Sequence, residues 1–278
     1  MAFAFPRLSA STLDGLRGYV HPEGRVSPLT GTALFPSVTT ILKTMDQPGL
    51  DLWKVTTERD MWRTASGELY AEIAGLPKLS PIAYLDTLDR RVGTLRAYTK
   101  QQQAALDVGS SAHHYIDYQI RKGLGQTVGK EPAIHPQAMW AYMAVEDWFM
   151  QHRVKPVYVE AQVFSHTGYA GTFDLLATVD GQLSLIDWKT SKALYPENDL
   201  QLAAYAQALR DMGHPEIARA IVIRIPKEEH ETAVEVHEVE DWERLVPTFH
   251  ALCTVWQWWY AADRASKAAW QAKRQQVA

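Results

Sequence analysis

The stretch DGQLSLIDWKT, Asp180 to Thr190, ends an apolar run in a carboxylate, Asp187, and an ammonium, Lys189. In an extended strand this spacing puts both on one face and Trp188 on the other. Read alone, the pair is either a strand-end ion pair of little energetic weight or a piece of chemistry. The Asp180-Gly181 dipeptide bears on the choice. It marks a two-residue hairpin loop, in which both positions need φ > 0. That loop sets a register with Val179 facing Gln182 and Ala177 facing Ser184, and further out it places Asp174 opposite Asp187. Like charges directly opposite on a sheet are destabilising. A bound divalent cation resolves the conflict, because hard cations take carboxylate oxygens. The chemistry to expect is therefore cation-dependent and carboxylate-held, with Lys189 on the same face. A one-residue slip would put Asp187 on the other face.

The elements that must hold this cluster follow from periodicity. Asp174, Asp187 and Lys189 share one face with Leu176, Leu183 and Leu185, whereas Phe173, Leu175, Ile186 and Trp188 form the other. A sheet apolar on both faces is covered on both sides, so the charged end opens into a cleft between layers. KPVYVEAQVFS, GYAGTFDLLATV, RAIVIRI and TAVEVHEVE are further strands. PENDLQLAAYAQALRDMG is a helix between them, with Asp199 near its start and Gly213 past its end. Upstream, residues 1–35 read as loops with a short hairpin, and Ser37 as the N-cap of a short helix. LDLWKVTTERDMWRTASGELYAEIAG reads as a helical pair. A long helical pattern follows, interrupted around Val108–Ser111 and resuming through Ile120. The next helix carries Met139, Tyr142, Met143, Val145 and Phe149 at helical spacing. The chain closes in one or two helices. The expected fold class is α/β (α+β): a central mixed sheet flanked by helices, with a mainly helical N-terminal region over residues 1–104 and the core over 105–278.

Composition excludes several function classes. A single cysteine, Cys253, rules out an internal disulfide framework, a Cys-rich zinc site and a four-cysteine iron–sulfur cluster. A net charge of −4 gives no global basic field, so nucleic acid would need a local groove. GLGQTVGKE lacks the glycine spacing of a phosphate loop and has Glu131 where Ser or Thr belongs. No apolar run reaches membrane-spanning length, and the N-terminus lacks a signal-type apolar region and is poor in arginine. The expected location is intracellular, without mitochondrial targeting.

Taken together, GTFD, then IDWKTSK, then LQLAAY resemble the PD-(D/E)xK nuclease superfamily, and within it the RecB-like exonuclease group. In that group a G-x-x-x-H motif precedes the core and Q-x-x-x-Y follows it on a helix. GSSAH supplies Gly109 and His113, VYVE supplies Glu160, and QLAAY supplies Gln201 and Tyr205. FPSVTTIL and DLWK are also similar to phage exonucleases and the mitochondrial genome maintenance exonuclease. The resemblance implies a restriction-endonuclease-like core and a metal-dependent DNA exonuclease using one or two Mg²⁺ or Mn²⁺ ions. It implies Asp174, Asp187 and the Trp188 backbone carbonyl as metal ligands, with His113 completing the set and Glu160 binding directly, through water or as an orienter. Lys189 would position the attacking water or stabilise developing negative charge. Gln201 and Tyr205, on one helix face, would steady Lys189 and the phosphate.

The implied substrate is DNA, single-stranded or with free ends, in phage-type recombination, replication or repair, and a single-strand annealing or binding protein is the implied partner. The implied location is the cytoplasm of a bacterial or phage-infected cell. A restriction-type or structure-specific endonuclease, a non-cleaving DNA-binding protein and a carboxylate-pair hydrolase of another substrate are the alternatives. WQWWY, Trp256 to Tyr260, reads as core packing rather than a base-stacking platform. Trp53-Lys54, Arg59, Trp62-Arg63, Arg90-Arg91 and Arg96 either line a nucleic-acid channel or form a solvated helix face.

Overall fold

The computed structural model describes residues 3–13, 16–45, 48–74, 80–93, 96–226, 231 and 233–277. A five-stranded mixed sheet in the order β4-β5-β6-β7-β8 forms the centre. Its strands are β4 (Lys155–Phe164), β5 (Ala170–Val179), β6 (Gln182–Lys189), β7 (Arg219–Arg224) and β8 (Glu235–Glu238). β4, β5 and β6 form an antiparallel meander. β6 and β7 are parallel, joined by the crossover helix α6 (Pro196–Asp211), and β8 is an antiparallel edge. The Asp180-Gly181 loop has φ of 51° and 92°, the left-handed pair that the sequence calls for.

The hairpin register holds from Val179↔Gln182 to Leu175↔Ile186 and then stops. Asp174 and Asp187 do not form a ladder pair, contrary to the register extrapolated from the turn; the ladder partner of Asp187 is Val222 of β7. The face assignment fails at the same place. Phe173 packs with Leu176 and Leu185 rather than with Leu175, Ile186 and Trp188. The break coincides with an irregularity in the neighbouring strand, β4. Val159 pairs with Leu175 and Ala161 with Phe173, and Glu160 between them has φ of 48°. A left-handed residue inside a strand breaks the alternation of side chains.

One face of the sheet carries the main core: Leu176, Leu185 and Val222 against Leu202, Ala203, Ala206 and Leu209 of α6, with Phe249, Cys253 and Trp256 of the C-terminal helix α7 (Val246–Val277). The other face meets α5 (Pro136–Gln151), whose Trp148 and Phe149 rings lie 6.3 and 6.2 Å from Trp188. The buried stripe of α5 is Ala138, Ala141, Ala144, Val145 and Trp148, shifted from the stripe read in the sequence; Met143 is exposed. Alanines let the helix approach while one tryptophan fills the space.

Where the sequence suggested loops with a short hairpin, β1 (Ser9–Leu13), β2 (Leu16–Val20) and β3 (Leu34–Pro36) form a three-stranded antiparallel sheet: the β1–β2 hairpin, extended by a third strand. It docks through Tyr19 and Phe35 against Phe164 and Ala170. Ser37 bridges to Ala170 and caps α1 (Val38–Leu42), its side chain accepting from the Thr40 amide.

The chain divides into two compact units, Met1–Met45 with Ser111–Ala278, and Asp46–Ser110. The first 45 residues thus belong with the sheet, a different partition from 1–104 and 105–278. The smaller unit holds α2 (Pro48–Ile73), α3 (Pro81–Val92) and the start of α4 (Ala97–Gly123), with Ala65, Leu69, Leu88 and Val92 as its own core. α2 is one helix rather than two, and α4 runs unbroken through residues 108–111. Gly67 and Gly109 are tolerated inside them, since an interior glycine costs only about 1 kcal/mol. Among the described residues, no helix is long and apolar enough to cross a membrane.

Candidate active site

The site is assembled where the β5–β6 ladder stops while β4 stays paired with β5, facing α4 and α6. α4 presents His113, whose Nδ1 lies 3.5 Å from Asp174 Oδ1 on β5. Asp174 Oδ2 accepts from the Trp188 amide at 2.7 Å, so this carboxylate fills the position left by the interrupted ladder. The left-handed turn at Glu160 accompanies a third donor: His113, Glu160 and Asp174 each offer a ligand atom, all within 4.8 Å of one another. Two carboxylates and an imidazole so close form a donor set suited to a divalent cation.

A second cluster adjoins it. Lys189 Nζ lies 2.6 Å from Asp187 Oδ2 and donates to Gln201 Oε1 at 2.8 Å. Gln201 Nε2 donates to Asp187 Oδ1 at 3.2 Å and to Tyr205 Oη at 3.0 Å. Both ends of this amide are thus engaged in the site: the oxygen by Lys189, and the nitrogen by Asp187 and Tyr205. Asp187 is 3% exposed and Gln201 7%. Among the described residues, buried Asp187 Oδ2 accepts no directional hydrogen bond, and the Lys189 ammonium lies beside it. A buried carboxylate oxygen with lone pairs to spare, near a three-donor cluster, fits a cation site.

Electrostatics follow from enclosure. Burial pushes the Glu160 carboxyl up to about 8, reinforced by Asp174 and opposed by His113. Burial pushes Asp187 up to about 6 against the pull of Lys189. Burial also acts to raise Asp174, but His113 beside it wins and the group lies below the usual carboxylate range. His113 mirrors this: burial lowers it, Asp174 raises it, and the net shift is upward. Burial lifts the Tyr205 hydroxyl well above the ordinary tyrosine value. Three carboxylates and one imidazole with shifted equilibria in one cleft form the pattern of a functional site.

The structure therefore brings His113, Glu160 and Asp174 into one group, and Asp187, Lys189, Gln201 and Tyr205 into another beside it. Trp188 contributes its amide to Asp174, and its ring is buried against α5. The Trp cluster is divided. Trp256 and Tyr260 are buried as core, whereas Trp258 and Trp259 are 71% and 47% exposed.

Several positioning residues were not singled out in the sequence. Arg121 donates to Asp117 at 2.7 Å and to the Val159 carbonyl at 2.9 Å, gripping β4 one residue before Glu160. His113, Asp117 and Arg121 recur at i, i+4 and i+8 on α4, a signal available to periodicity. Gly171 is also required. A Cβ there would sit 2.3 Å from Tyr205 Cε1, so the glycine of GTFD makes room for the ring. Tyr19 of β2 reaches Thr172 at 3.1 Å, which ties the N-terminal sheet to β5 two residues before Asp174.

A mixed sheet flanked by helices, with carboxylates and a lysine where its strands part, defines the restriction-endonuclease-like class. The chain belongs to the PD-(D/E)XK nuclease superfamily, whose sequence profile matches residues 83–271, more than half of the chain and every residue of the site. Nucleases of this superfamily use divalent metals, and the donors present fit one. No curated protein matches the chain. Among solved structures it is similar to one described as "Crystal structure of SSO0001", with 15% identity and a TM-score of 0.26. That match covers 40% of this chain and 55% of the other, so the likeness spans about half of that protein.

Proposed function

We propose that the chain is a metal-dependent deoxyribonuclease that hydrolyses phosphodiester bonds exonucleolytically, on single-stranded or end-bearing DNA. One observation carries the reading: a three-donor cluster, His113, Glu160 and Asp174, stands beside a lysine held by Asp187 and Gln201. A divalent cation, Mg²⁺ or Mn²⁺, would be held by those three donors, with Asp187 and the Trp188 carbonyl as further oxygens, and would supply charge relief at the phosphate and activation of water. His113 brings an imidazole donor, which suits Mn²⁺ as well as Mg²⁺.

The chain's own residues do the rest. Lys189 presents a localised positive charge to an anionic substrate and orients the attacking water or stabilises charge that develops on the phosphate. Gln201 accepts from the ammonium and donates to both Asp187 and Tyr205, so it fixes the direction of Nζ without neutralising it. Tyr205 anchors Gln201, and the space left by Gly171 keeps Tyr205 in place. Arg121 holds the strand that carries Glu160.

The exonuclease preference rests on the resemblance of FPSVTTIL and the core motifs to phage exonucleases. Phage-type recombination, replication or repair is the corresponding context, and a single-strand annealing or binding protein the corresponding partner.

The test uses end-labelled linear single strands, linear duplex and covalently closed circles, each with Mg²⁺, Mn²⁺ or EDTA. Metal-dependent loss of nucleotides from linear ends, with circles intact, is the expected outcome. Cutting of closed circles would make the enzyme an endonuclease. Binding without cleavage under every metal would make it a DNA-binding protein, and the absence of both would remove nucleic acid as the substrate.

A further inference from the structure

Helix α7 changes character halfway along. Its buried stripe, Phe249, Cys253, Trp256 and Tyr260, packs into the main core. Beyond Tyr260 the core ends: residues 261–274 are exposed on every side except at the half-buried Asp263. A helix with no tertiary packing is marginal in water. This segment offsets that with alanine at 261, 262, 265, 268, 269 and 272, the strongest helix former. It is built to remain helical while presenting a face.

That face is cationic. The line of the buried stripe continues as Arg264, Lys267, Gln271 and Arg274, at i, i+3, i+7 and i+10. Lys273 lies alongside, and Asp263, which pairs with Lys267 at 2.7 Å, is the segment's only carboxylate. The chain as a whole carries −4, so this positive projection stands against an acidic body. Two of the guanidinium groups are laid on aromatic rings. Arg264 is 5.6 Å from the Tyr260 ring centre and Arg274 is 4.7 Å from that of Trp270. Stacking orients a guanidinium and leaves its charge and donor edges available. Trp270 is itself 59% exposed.

We infer that the projecting half of α7 is a docking surface for single-stranded DNA, with Arg264, Lys267 and Arg274 on successive phosphates and Trp270 as a stacking face for a base. The inference rests on the nuclease reading, because the strand it would hold is the substrate. An apolar partner would find no apolar stripe here, whereas a polyanion finds charge at helical spacing beside an exposed ring.

The test is binding of a long fluorescent single-stranded oligonucleotide to the full chain in EDTA, across a salt series. The variant is the triple substitution Arg264→Gln, Lys267→Gln and Arg274→Gln, which keeps helix propensity and size. Loss of three phosphate contacts should flatten the log–log salt slope by roughly 2 and weaken binding about tenfold at low salt. The matched set Arg264→Lys and Arg274→Lys should retain most of the slope. Metal-dependent hydrolysis of an oligonucleotide too short to reach the helix should be unchanged in every variant. Unaltered affinity and slope in the Gln variant overturn the surface while leaving the nuclease intact. The same holds if the Gln variant only dissociates a dimer, which would make the occupant a second copy. A parent chain that neither binds nor cuts DNA overturns both.

Discussion

The two halves of the site are made of similar residues and are satisfied in opposite ways. On one side Asp187, Lys189, Gln201 and Tyr205 form a closed network within the protein: ammonium to carboxylate, ammonium to amide, amide to carboxylate and hydroxyl. On the other, His113, Glu160 and Asp174 crowd two carboxylates against one imidazole, and Glu160 is held in a left-handed conformation at no local advantage. The closed side is preorganised around Lys189, and its one unspent acceptor is Asp187 Oδ2, which faces the cation cluster. The open side stores repulsion that a cation would relieve. A substitution at Lys189 or Gln201 should therefore lower activity and leave metal binding intact, whereas replacing the Glu160 carboxyl should weaken metal binding and stabilise the protein in EDTA.

The largest expected effect is on the closed side. Lys189→Ala should lower kcat by about 10³-fold, the range of losing an oriented charge or proton-handling group. Steady-state cleavage of a linear single strand measures it, and a loss smaller than tenfold would mean that the ammonium is structural. Glu160→Gln comes next. Divalent-metal affinity should fall by about 10–100-fold, while the chain in EDTA gains on the order of 2 kcal/mol at neutral pH because a buried carboxyl no longer resists ionisation. Calorimetry and denaturant unfolding read the two effects, and their opposite signs are what set this side apart. Gly171→Ala should cost about 1–3 kcal/mol by overpacking. It should also lower kcat by roughly tenfold through displacement of Tyr205 and then Gln201, with metal affinity unchanged.

The smallest effect is in the pH dependence of stability. The Glu160 carboxyl rises from 4.5 to about 8 and that of Asp187 from 3.8 to about 6 in the metal-free fold. A raised carboxyl means that the folded state binds protons the unfolded state has released. This contribution to stability is complete below the unfolded values and is lost as pH climbs, through about 6 for Asp187 and about 8 for Glu160. The melting temperature in EDTA should thus decline from acidic to mildly basic pH, and added Mg²⁺ should raise it more at the higher pH. A stabilisation by Mg²⁺ that is independent of pH would mean that Glu160 is not at the cation.

Much of this arrangement was legible in the sequence because local chemistry dictated it. Asp180-Gly181 has few conformations open to it, so the hairpin register follows from the turn. Alternation then carried the reading to Leu175↔Ile186 and failed at Asp174, for a reason that no local signal contains. Glu is a poor left-handed residue, and the conformation of Glu160 accompanies tertiary contacts: Arg121 on the Val159 carbonyl and His113 against Asp174. The bringing together of Gln201 and Lys189 rested on motif order, since helix periodicity alone gives them no common address. In the N-terminal region a short hairpin was legible but the third strand was not, because β3 is three residues long and packs through Phe35 against Phe164 and Ala170 of the distant core.

Mn²⁺ binding, measured by calorimetry on Asp174→Asn and Lys189→Ala in parallel with the parent chain, tests the division of the site most directly. The lysine variant should bind Mn²⁺ at least as tightly as the parent, because Asp187 Oδ2 loses its ammonium and stays available. The Asp174→Asn variant should lose most of the affinity. Mn²⁺ bound by Asp174→Asn as tightly as by the parent would contradict the account, for the cation would then lie elsewhere.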